Sequence, residues 1–276
     1  MVAIHYLVDK VKAAWGRKKA ASILFLDVEG AFPNAVTKRL IHNLMKWWIL
    51  TTYVKFVEWL LEGQKTRLKF DDFISKLIEI ANGIGQGDLI LIFLYIIYNA
   101  DLLEALQWLE EDAIRYVDDV LVITMAKRLT GATHTLKHFM ERGEGGLKWA
   151  QDHNLKFEIS KIAIMHCQPR ARKPTNCPNL TLWQEGRIIQ EVTTYKYLGV
   201  YIDNQLRWRM QENEVMAKAT AYILVFRRLM CTSLGIQPRL MCQLYILVQS
   251  PRWCTCWMSG LYLCTRRSAS ETTAVQ

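Results

Sequence analysis

Three aspartates have the residue type and the placing that metal-dependent chemistry requires. Asp27 closes the apolar run SILFLDV (22–28), and Asp118 with Asp119 lies between two short apolar runs in IRYVDDVLVIT (114–124). The first run predicts a buried strand, and the second predicts a hairpin with the acids at its tip. Antiparallel pairing of these strands would bring the three carboxylates together, where each charge raises the others' pKa values unless a cation is bound.

A divalent cation suits such a cluster. Mg²⁺ prefers oxygen ligands and takes one or two carboxylates together with substrate phosphates. Two such ions ~4 Å apart stabilise the attacking and leaving oxygens of an in-line phosphoryl displacement. Each piece alone also has an ordinary explanation, because Asp-Asp is a common turn pair and an acid often ends a strand. The residues by themselves are therefore consistent both with a metal site and with acids that only form turns and end strands.

The elements that must position these acids form a mixed pattern. The predicted elements, in order, are a helix from Ile4 to Trp15, the strand 22–28, helices at 35–48 and 53–62, a hairpin at 66–80, a buried apolar helix at 89–106, the hairpin 114–124, a helix at 133–153, strands at 156–166 and 195–203, and helices from 205 to 248. Strands and helices in this order favour an α+β fold close to the split βαβ arrangement.

A glycine cluster and a lysine are the other candidates for chemistry. GIGQG (83–87) lacks the third glycine of a dinucleotide fingerprint and the Lys-Ser/Thr of a P-loop, which excludes both readings. Gly85 and Gly87 would let the backbone approach a ligand closely, although a tight turn before a helix is the alternative. Lys161 lies in the predicted strand 156–166, where a solvated lysine on an exposed face is the ordinary interpretation.

Composition places the chain among folded globular proteins. Its 276 residues are 51% hydrophobic and 22% charged, which excludes disordered and fibrous classes. The net charge of +9 is unevenly spread, with +5 in residues 1–60, −5 in 61–160 and +9 in 161–276. Basic flanks around an acidic centre suit a protein that binds a polyanion, and a chance spread over solvated faces is the alternative.

Cysteine usage and hydropathy predict an intracellular protein with no membrane partner. The start has no apolar segment behind a basic one, so no secretory signal is expected. The seven cysteines form no CxxC pair, which favours a reduced chain over a disulfide or zinc scaffold. The central uncharged run 89–100 is well short of the ~20 residues that span a bilayer. These features do not distinguish a nuclear from a cytoplasmic location.

FLDVEGAF (25–32) followed by YVDD (116–119) resembles the palm of reverse transcriptases, in particular those of non-LTR (LINE-like) retrotransposons of fungal type. Similar motifs follow in GIGQGD (83–88), EISKIAI (158–164) and YKYLGVYID (195–203). The resemblance implies a polymerase palm-like split βαβ antiparallel sheet with helices on one face, followed by a small helical thumb-like region. It also implies an RNA-directed DNA polymerase that extends a primer on an RNA or DNA template with deoxynucleoside triphosphates and two Mg²⁺ ions, or Mn²⁺.

The resemblance assigns roles to the acids and to the lysine. Asp27, the carbonyl of Val28 and Asp118 would be metal ligands, and Asp119 would be a supporting carboxylate. Asp27, Asp118, Asp119 and Lys161 would form the catalytic set, with Lys161 protonating the leaving pyrophosphate.

The same resemblance assigns residues that bind nucleotide and primer. Phe32 would lie under the sugar of the incoming nucleotide and fill the space of a 2′-hydroxyl, with plain core packing as the alternative. Gln86 and Gly87 would approach the nucleotide and the template. The primer would be held at three successive residues, which are Tyr197, Leu198 and Gly199.

We expect three regions: a palm without its fingers at 1–203, a partial thumb at 204–250, and a divergent, disordered tail at 251–276. The glycine motif also departs from the family, because DLILI (88–92) replaces its usual Pro, Leu and Ser. An active polymerase is favoured by the intact acids and Phe32. The departures favour the alternative, a catalytically inactive palm relic that is at most a nucleic-acid-binding module. The oligomeric state is not predicted.

Overall fold

The computed structural model describes residues 2–80, 82–85, 89–104, 106, 110–158, 160–169, 180–181, 188–230, 237, 239–240 and 243. The helices within them are α1 (Val2–Gly16), α2 (Thr37–Lys46), α3 (Thr51–Leu61), α4 (Leu89–Tyr98), α5 (Asp101–Glu104), α6 (Leu129–Glu141), α7 (Gly146–Asp152) and α8 (Arg209–Met230). The strands are β1 (Ala20–Glu29), β2 (Lys65–Thr66), β3 (Lys69–Phe70), β4 (Phe73–Ile74), β5 (Ile78–Glu79), β6 (Glu111–Tyr116), β7 (Asp119–Ala126), β8 (Lys156–Phe157), β9 (Ala163–Cys167), β10 (Leu180–Thr181), β11 (Ile188–Glu191), β12 (Thr194–Tyr197) and β13 (Val200–Asp203).

The chain divides into two compact units. The larger comprises residues 18–166 and 174–191, and the smaller comprises 1–17, 167–173 and 192–276. This division does not coincide with the expected boundary at residue 204, which stays a prediction. The predicted tail 251–276 lies outside the described residues.

A mixed sheet forms the centre of the larger unit. Its strand order is β10-β11-β9-β1-β7-β6, and β8 pairs with the end of β1. The β1–β7, β6–β7 and β1–β8 pairs are antiparallel, whereas β11 runs parallel to β9. The predicted α+β, palm-like fold class is confirmed. The first seven residues of β1 are all buried, so both faces of this strand are covered, which accounts for its long apolar run.

The helices of this unit pack against one face of the sheet. Alternate residues of β1 and β7, such as Leu24, Leu26 and Val122, belong to one buried cluster with side chains of α2, α3, α4, α6 and α7. Because side chains alternate across a strand, this period of two is what directs one set of residues towards the helices.

The predicted apolar helix 89–106 was wrong in length and burial. It is divided into α4 and α5, and α4 buries only the side that carries Leu94, Tyr95 and Tyr98. On its other side Leu89 is 75% and Phe93 is 65% exposed. When a helix is apolar on every face, its sequence does not show which of those faces will be packed against other elements.

The predicted helix 133–153 and the predicted strand 156–166 are each interrupted. A turn separates α6 from α7, and a β-carbon at Gly145 would lie 2.2 Å from the carbonyl oxygen of Phe139, so only glycine fits there. A second turn separates β8 from β9, in which the N–H of Lys161 donates to the carbonyl of Glu158 over 3.0 Å. This second turn, rather than a strand face, carries Lys161.

In the smaller unit, β12 and β13 form a hairpin that leads into α8. The carboxylate of Asp203 accepts hydrogen bonds from the backbone N–H groups of Gln205, Arg207 and Trp208 over 2.6–3.0 Å. These bonds turn the chain from β13 into the helix. Within the described part of the chain, no helix is both long enough and apolar enough to cross a membrane.

Candidate active site

The strand register brings the first and third aspartates together. Asp27 of β1 is the antiparallel partner of Asp119 at the start of β7. Directly opposite residues in an antiparallel pair project from the same face with β-carbons ~4.5–5.5 Å apart. The predicted meeting of the strand end with the acidic end of the hairpin is therefore confirmed for Asp27 and Asp119, and a cation shared by Asp27 and Asp118 stays a prediction.

Asp118 occupies the tip of the adjoining hairpin. Tyr116 pairs with Asp119 across β6 and β7, which leaves Val117 and Asp118 as the two turn residues. Val117 has a φ of 58°, a left-handed conformation that is rare for a β-branched residue. Such strain costs on the order of 1–3 kcal/mol and is concentrated at functional sites. The tight turn places Asp118 next to the paired aspartates.

The electrostatics of Asp119 agree with this convergence. Burial raises the pKa of Asp119 above its usual range, and the charges of Asp118 and Asp27 raise it further, while Lys161 lowers it. Like charges that disfavour ionisation at a cleft are a mark of functional sites. Asp118 and Asp27 therefore lie close enough to act on Asp119, and a cation beside Asp119 would relieve that repulsion.

Lys161 supplies the nearest positive charge. Its Nζ lies 2.7 Å from Oδ2 of Asp27, and the two side chains are 59% and 21% exposed. The backbone brings it there, because the N–H of Glu158 donates to the carbonyl of Asp27 over 2.9 Å and anchors the β8–β9 turn at the end of β1. The Lys161 ammonium is therefore an ion-pair partner of the Asp27 carboxylate in this structure.

Asp27, Asp118 and Asp119 are the candidate ligands for a divalent ion. Among the described residues, no group of three or more His, Cys, Asp or Glu side chains is arranged so that it could hold a metal ion. Mg²⁺ does not need one, since it commonly takes one or two carboxylates and completes its shell with phosphates and water. Val28, the predicted carbonyl ligand, is buried and pairs with Phe157 of β8.

The loop after β1 is held by the start of the glycine cluster. Ile84 donates its N–H to the carbonyl of Phe32 and Gly83 donates to that of Ala35, both over 2.8 Å. Gly83 has a φ of 117°, and a β-carbon there would lie 2.9 Å from the carbonyl oxygen of Pro33. Sequence reasoning assigned close ligand approach to Gly85 and Gly87 and missed that Gly83 docks one loop against another.

Phe32 is the side chain that this docking positions. It is 9% exposed, and its ring stacks on Tyr95 with centroids 4.5 Å apart. Burial raises the pKa of Tyr95 to about 12, an effect that the Asn99 side chain opposes and the charge of Asp118 increases. Phe32 thus belongs to the core, and the charge of Asp118 acts on its stacking partner Tyr95. Sequence reasoning missed Tyr95, although its position three residues before Tyr98 marks one face of α4.

The remaining predicted residues fall elsewhere. Gln86 and Gly87 lie outside the described residues. Tyr197 is buried at the end of β12, and Leu198 and Gly199 form the two-residue turn to β13 with φ values of 48° and 80°. The run 195–203, whose motif resembles the primer-grip hairpin of the family, is thus folded as a hairpin, and its contact with a primer stays a prediction.

The sequence of this chain is similar to those of known proteins. Residues 2–202 match the profile of the reverse transcriptases (RNA-dependent DNA polymerase). The chain is 27% identical over 208 residues to the RNA-directed DNA polymerase from mobile element jockey of Drosophila melanogaster, covering 74% of this chain and 22% of that protein. It is 22% identical to the probable RNA-directed DNA polymerase from transposon X-element of the same species, covering 92% of this chain and 28% of that protein.

A solved structure is also similar. The apo telomerase from Candida tropicalis truncated from its C-terminal domain aligns with a TM-score of 0.48 at 11% identity, covering 74% of this chain and 39% of that one. The chain spans only about a quarter of the length of the curated relatives it matches. Those relatives come from Drosophila, so the fungal assignment stays a prediction. The profile match over most of its length shows that this chain belongs to the reverse transcriptase family, as a fragment of the LINE-like kind.

Proposed function

We propose that this chain carries the catalytic palm of an RNA-directed DNA polymerase that transfers nucleotides to a primer 3′ end. The observation that supports it most is the pairing of Asp27 with Asp119 beside Asp118 at a strained hairpin tip. This geometry gathers negative charge at partly buried positions where β1 ends and β7 begins, and a polyanionic substrate can approach it only together with cations.

The acids would hold the metal. Asp27 and Asp118 would each offer an oxygen, with the carbonyl of Val28 as a further ligand and Asp119 as the supporting carboxylate. Mg²⁺, or Mn²⁺ in its place, would supply charge neutralisation for the attacking and leaving oxygens. Asp119 would contribute by the negative potential that keeps cations in the site.

Lys161 would act as the proton donor. Its ammonium rests on Asp27 and its side chain is more than half exposed, so it can leave the carboxylate without disturbing the core. Moved towards the substrate, it would give its proton to the bridging oxygen of the leaving pyrophosphate. General acid catalysis of this kind typically contributes ~10²–10⁴ in rate.

Phe32 and the glycine loop would hold the nucleotide. The ring of Phe32 would block the position of a 2′-hydroxyl and so favour deoxynucleoside triphosphates. Gln86 and Gly87, which follow the docked Gly83, would meet the nucleotide and the template. The hairpin tip at 197–199 would contact the primer backbone, and the basic residues of 161–276 would support phosphate binding.

Primer extension tests the proposal. The 276-residue chain is given an RNA or a DNA template with a DNA primer, in Mg²⁺ and in Mn²⁺ separately. Extension by the parent chain should be lost in Asp118→Asn and kept in the control Asp72→Asn, which removes an exposed turn carboxylate at the β3–β4 tip. If the parent chain binds template-primer but extends it with neither ion, the polymerase proposal is wrong and the chain is an inactive nucleic-acid-binding module.

A further inference from the structure

A continuous series of aromatic ring contacts, four of them stacked and one edge-to-face, links Phe32 to Phe157. Its members, in order of contact, are Phe32, Tyr95, Tyr98, His153, Trp149 and Phe157. Successive ring centroids are 4.5, 6.2, 5.3, 4.7 and 6.3 Å apart. These spacings lie within the range of favourable aromatic pairs. We call this set the aromatic column.

Both ends of the aromatic column reach the end of β1. Phe32 follows Asp27 by five residues, and Phe157 is the strand partner of Val28. The two terminal rings are therefore carried by the turn that follows β1 and by the strand that pairs with its end.

The middle of the column is rigidly held. The hydroxyl of Tyr98 donates to the carbonyl of His153 over 2.5 Å and accepts from the N–H of Val36 over 3.2 Å. The amide of Asn43 donates to the carbonyl of Tyr98 over 3.0 Å. These bonds join α2, α4 and α7, so the ring of Tyr95 rests on a fixed neighbour.

Phe32 depends on Tyr95 for its ring position. Its backbone is held by the bond from Ile84, which leaves mainly the side-chain torsions free. The fully buried Tyr95 restricts rotation about these torsions, because its ring stacks on one face of the Phe32 ring. Excluding a single hydroxyl group requires a wall that yields by less than about one ångström, and only close packing gives such a wall.

We propose that Tyr95 is a positioning residue for sugar selection, because its stacked ring keeps Phe32 across the space that a 2′-hydroxyl would occupy. The inference rests on the proposed function and adds to it a second residue that determines which nucleotides are used. Tyr95 acts through Phe32 and contacts neither metal nor substrate. Its ring carries the effect, and its hydroxyl does not.

The test compares three variants in the full chain. Tyr95→Leu removes the flat ring, Tyr95→Phe removes only the hydroxyl, and Phe139→Leu makes the same ring-to-leucine change at a buried site of α6 that shares the core but not the column. Each is assayed for kcat and KM with dGTP and with GTP in primer extension. Thermal shifts with each nucleotide, in Mg²⁺ and template-primer, give a readout that does not need turnover.

The expected result is a change of selectivity confined to one variant. Tyr95→Leu should raise the efficiency of GTP relative to dGTP about tenfold, mainly through a lower KM for GTP, which corresponds to ~1.4 kcal/mol of lost discrimination. Tyr95→Phe should keep the parental ratio. Phe139→Leu should lower the melting temperature and leave the ratio unchanged, because lost stability alone does not distinguish the two sugars.

Other outcomes distinguish a failure of this inference from a failure of the proposed function on which it rests. If Phe32→Ala relaxes selectivity and Tyr95→Leu does not, the inference is wrong and the polymerase stands. If the parent neither extends the primer nor is stabilised by either nucleotide, the proposed function fails and takes the inference with it. Should Tyr95→Leu fail to fold, Tyr95→Met replaces it and the same comparison of ratios decides.

Discussion

Replacing Lys161 by methionine should strengthen binding of Mg²⁺ in the absence of substrate. The ammonium lies 2.7 Å from Oδ2 of Asp27, which is where a divalent ion would coordinate. A bound Mg²⁺ must therefore displace the lysine and then tolerate its charge nearby. Lys161→Met keeps most of the aliphatic stem and removes that competitor.

Coulomb's law sets the size of the effect. Unit charges 4 Å apart interact by ~1 kcal/mol in water, so a lysine facing a divalent ion costs ~2 kcal/mol. The Lys161 side chain is 59% exposed, and both solvent screening and the freedom to move away reduce this cost. An exposed ion pair itself contributes ~0–1 kcal/mol. A net gain of about 1 kcal/mol corresponds to roughly fivefold tighter Mg²⁺ binding.

Calorimetric titration of the metal-free chain with Mg²⁺ measures this gain directly. Lys148→Met is the matched control, since Lys148 is an exposed lysine that pairs with Asp152 on α7. Lys161→Met should bind Mg²⁺ more tightly and yet extend primers more slowly, because the proton donor is lost. Equal Mg²⁺ affinity in Lys161→Met and the parent would refute the view that the ammonium competes with a metal.

Three further changes test the electrostatics of the fold. Glu111→Ala should cost ~3–5 kcal/mol in urea unfolding, because it leaves Arg142, only 7% exposed and held by two hydrogen bonds of 3.0–3.1 Å, without its buried partner. Asp118→Asn should lower the pKa of Asp119, raise the melting temperature of the metal-free chain and remove its stabilisation by Mg²⁺, which thermal shift assays will show. Burial lowers the pKa of His153 in the folded state, so the unfolded chain takes up this proton first and the fold should lose stability as pH falls below about 6.5. His153→Gln should flatten that part of the pH-stability curve.

The local chemistry of the site could be predicted because it follows from local patterns. An apolar run that ends in Asp27 predicts a strand end, and two apolar runs around Asp118 and Asp119 predict a hairpin, whatever the rest of the chain does. Strand ends and hairpin tips are also where a sheet presents polar groups to solvent. The register that sets Asp27 opposite Asp119 agrees with those expectations.

The position of Lys161 in a turn could not be predicted, because the alternation of apolar and polar residues continues from β8 through the turn into β9. The string from 156 to 166 reads as one strand, but Phe157 pairs with Val28 while the chain beyond Lys161 enters β9. Where a strand ends depends on the partner that it finds, and the partner is set by tertiary pairing.

What the amino-acid sequence determined by itself is therefore the set of acids, their attachment to strand ends and the reverse transcriptase motifs around them. Only the tertiary structure decided that Gly83 docks against Pro33 and that Phe32 stacks on Tyr95. It also decided that one side of α4 remains exposed. Motifs and strand ends depend on neighbours in the chain, whereas stacking, docking and burial depend on residues that folding alone brings close.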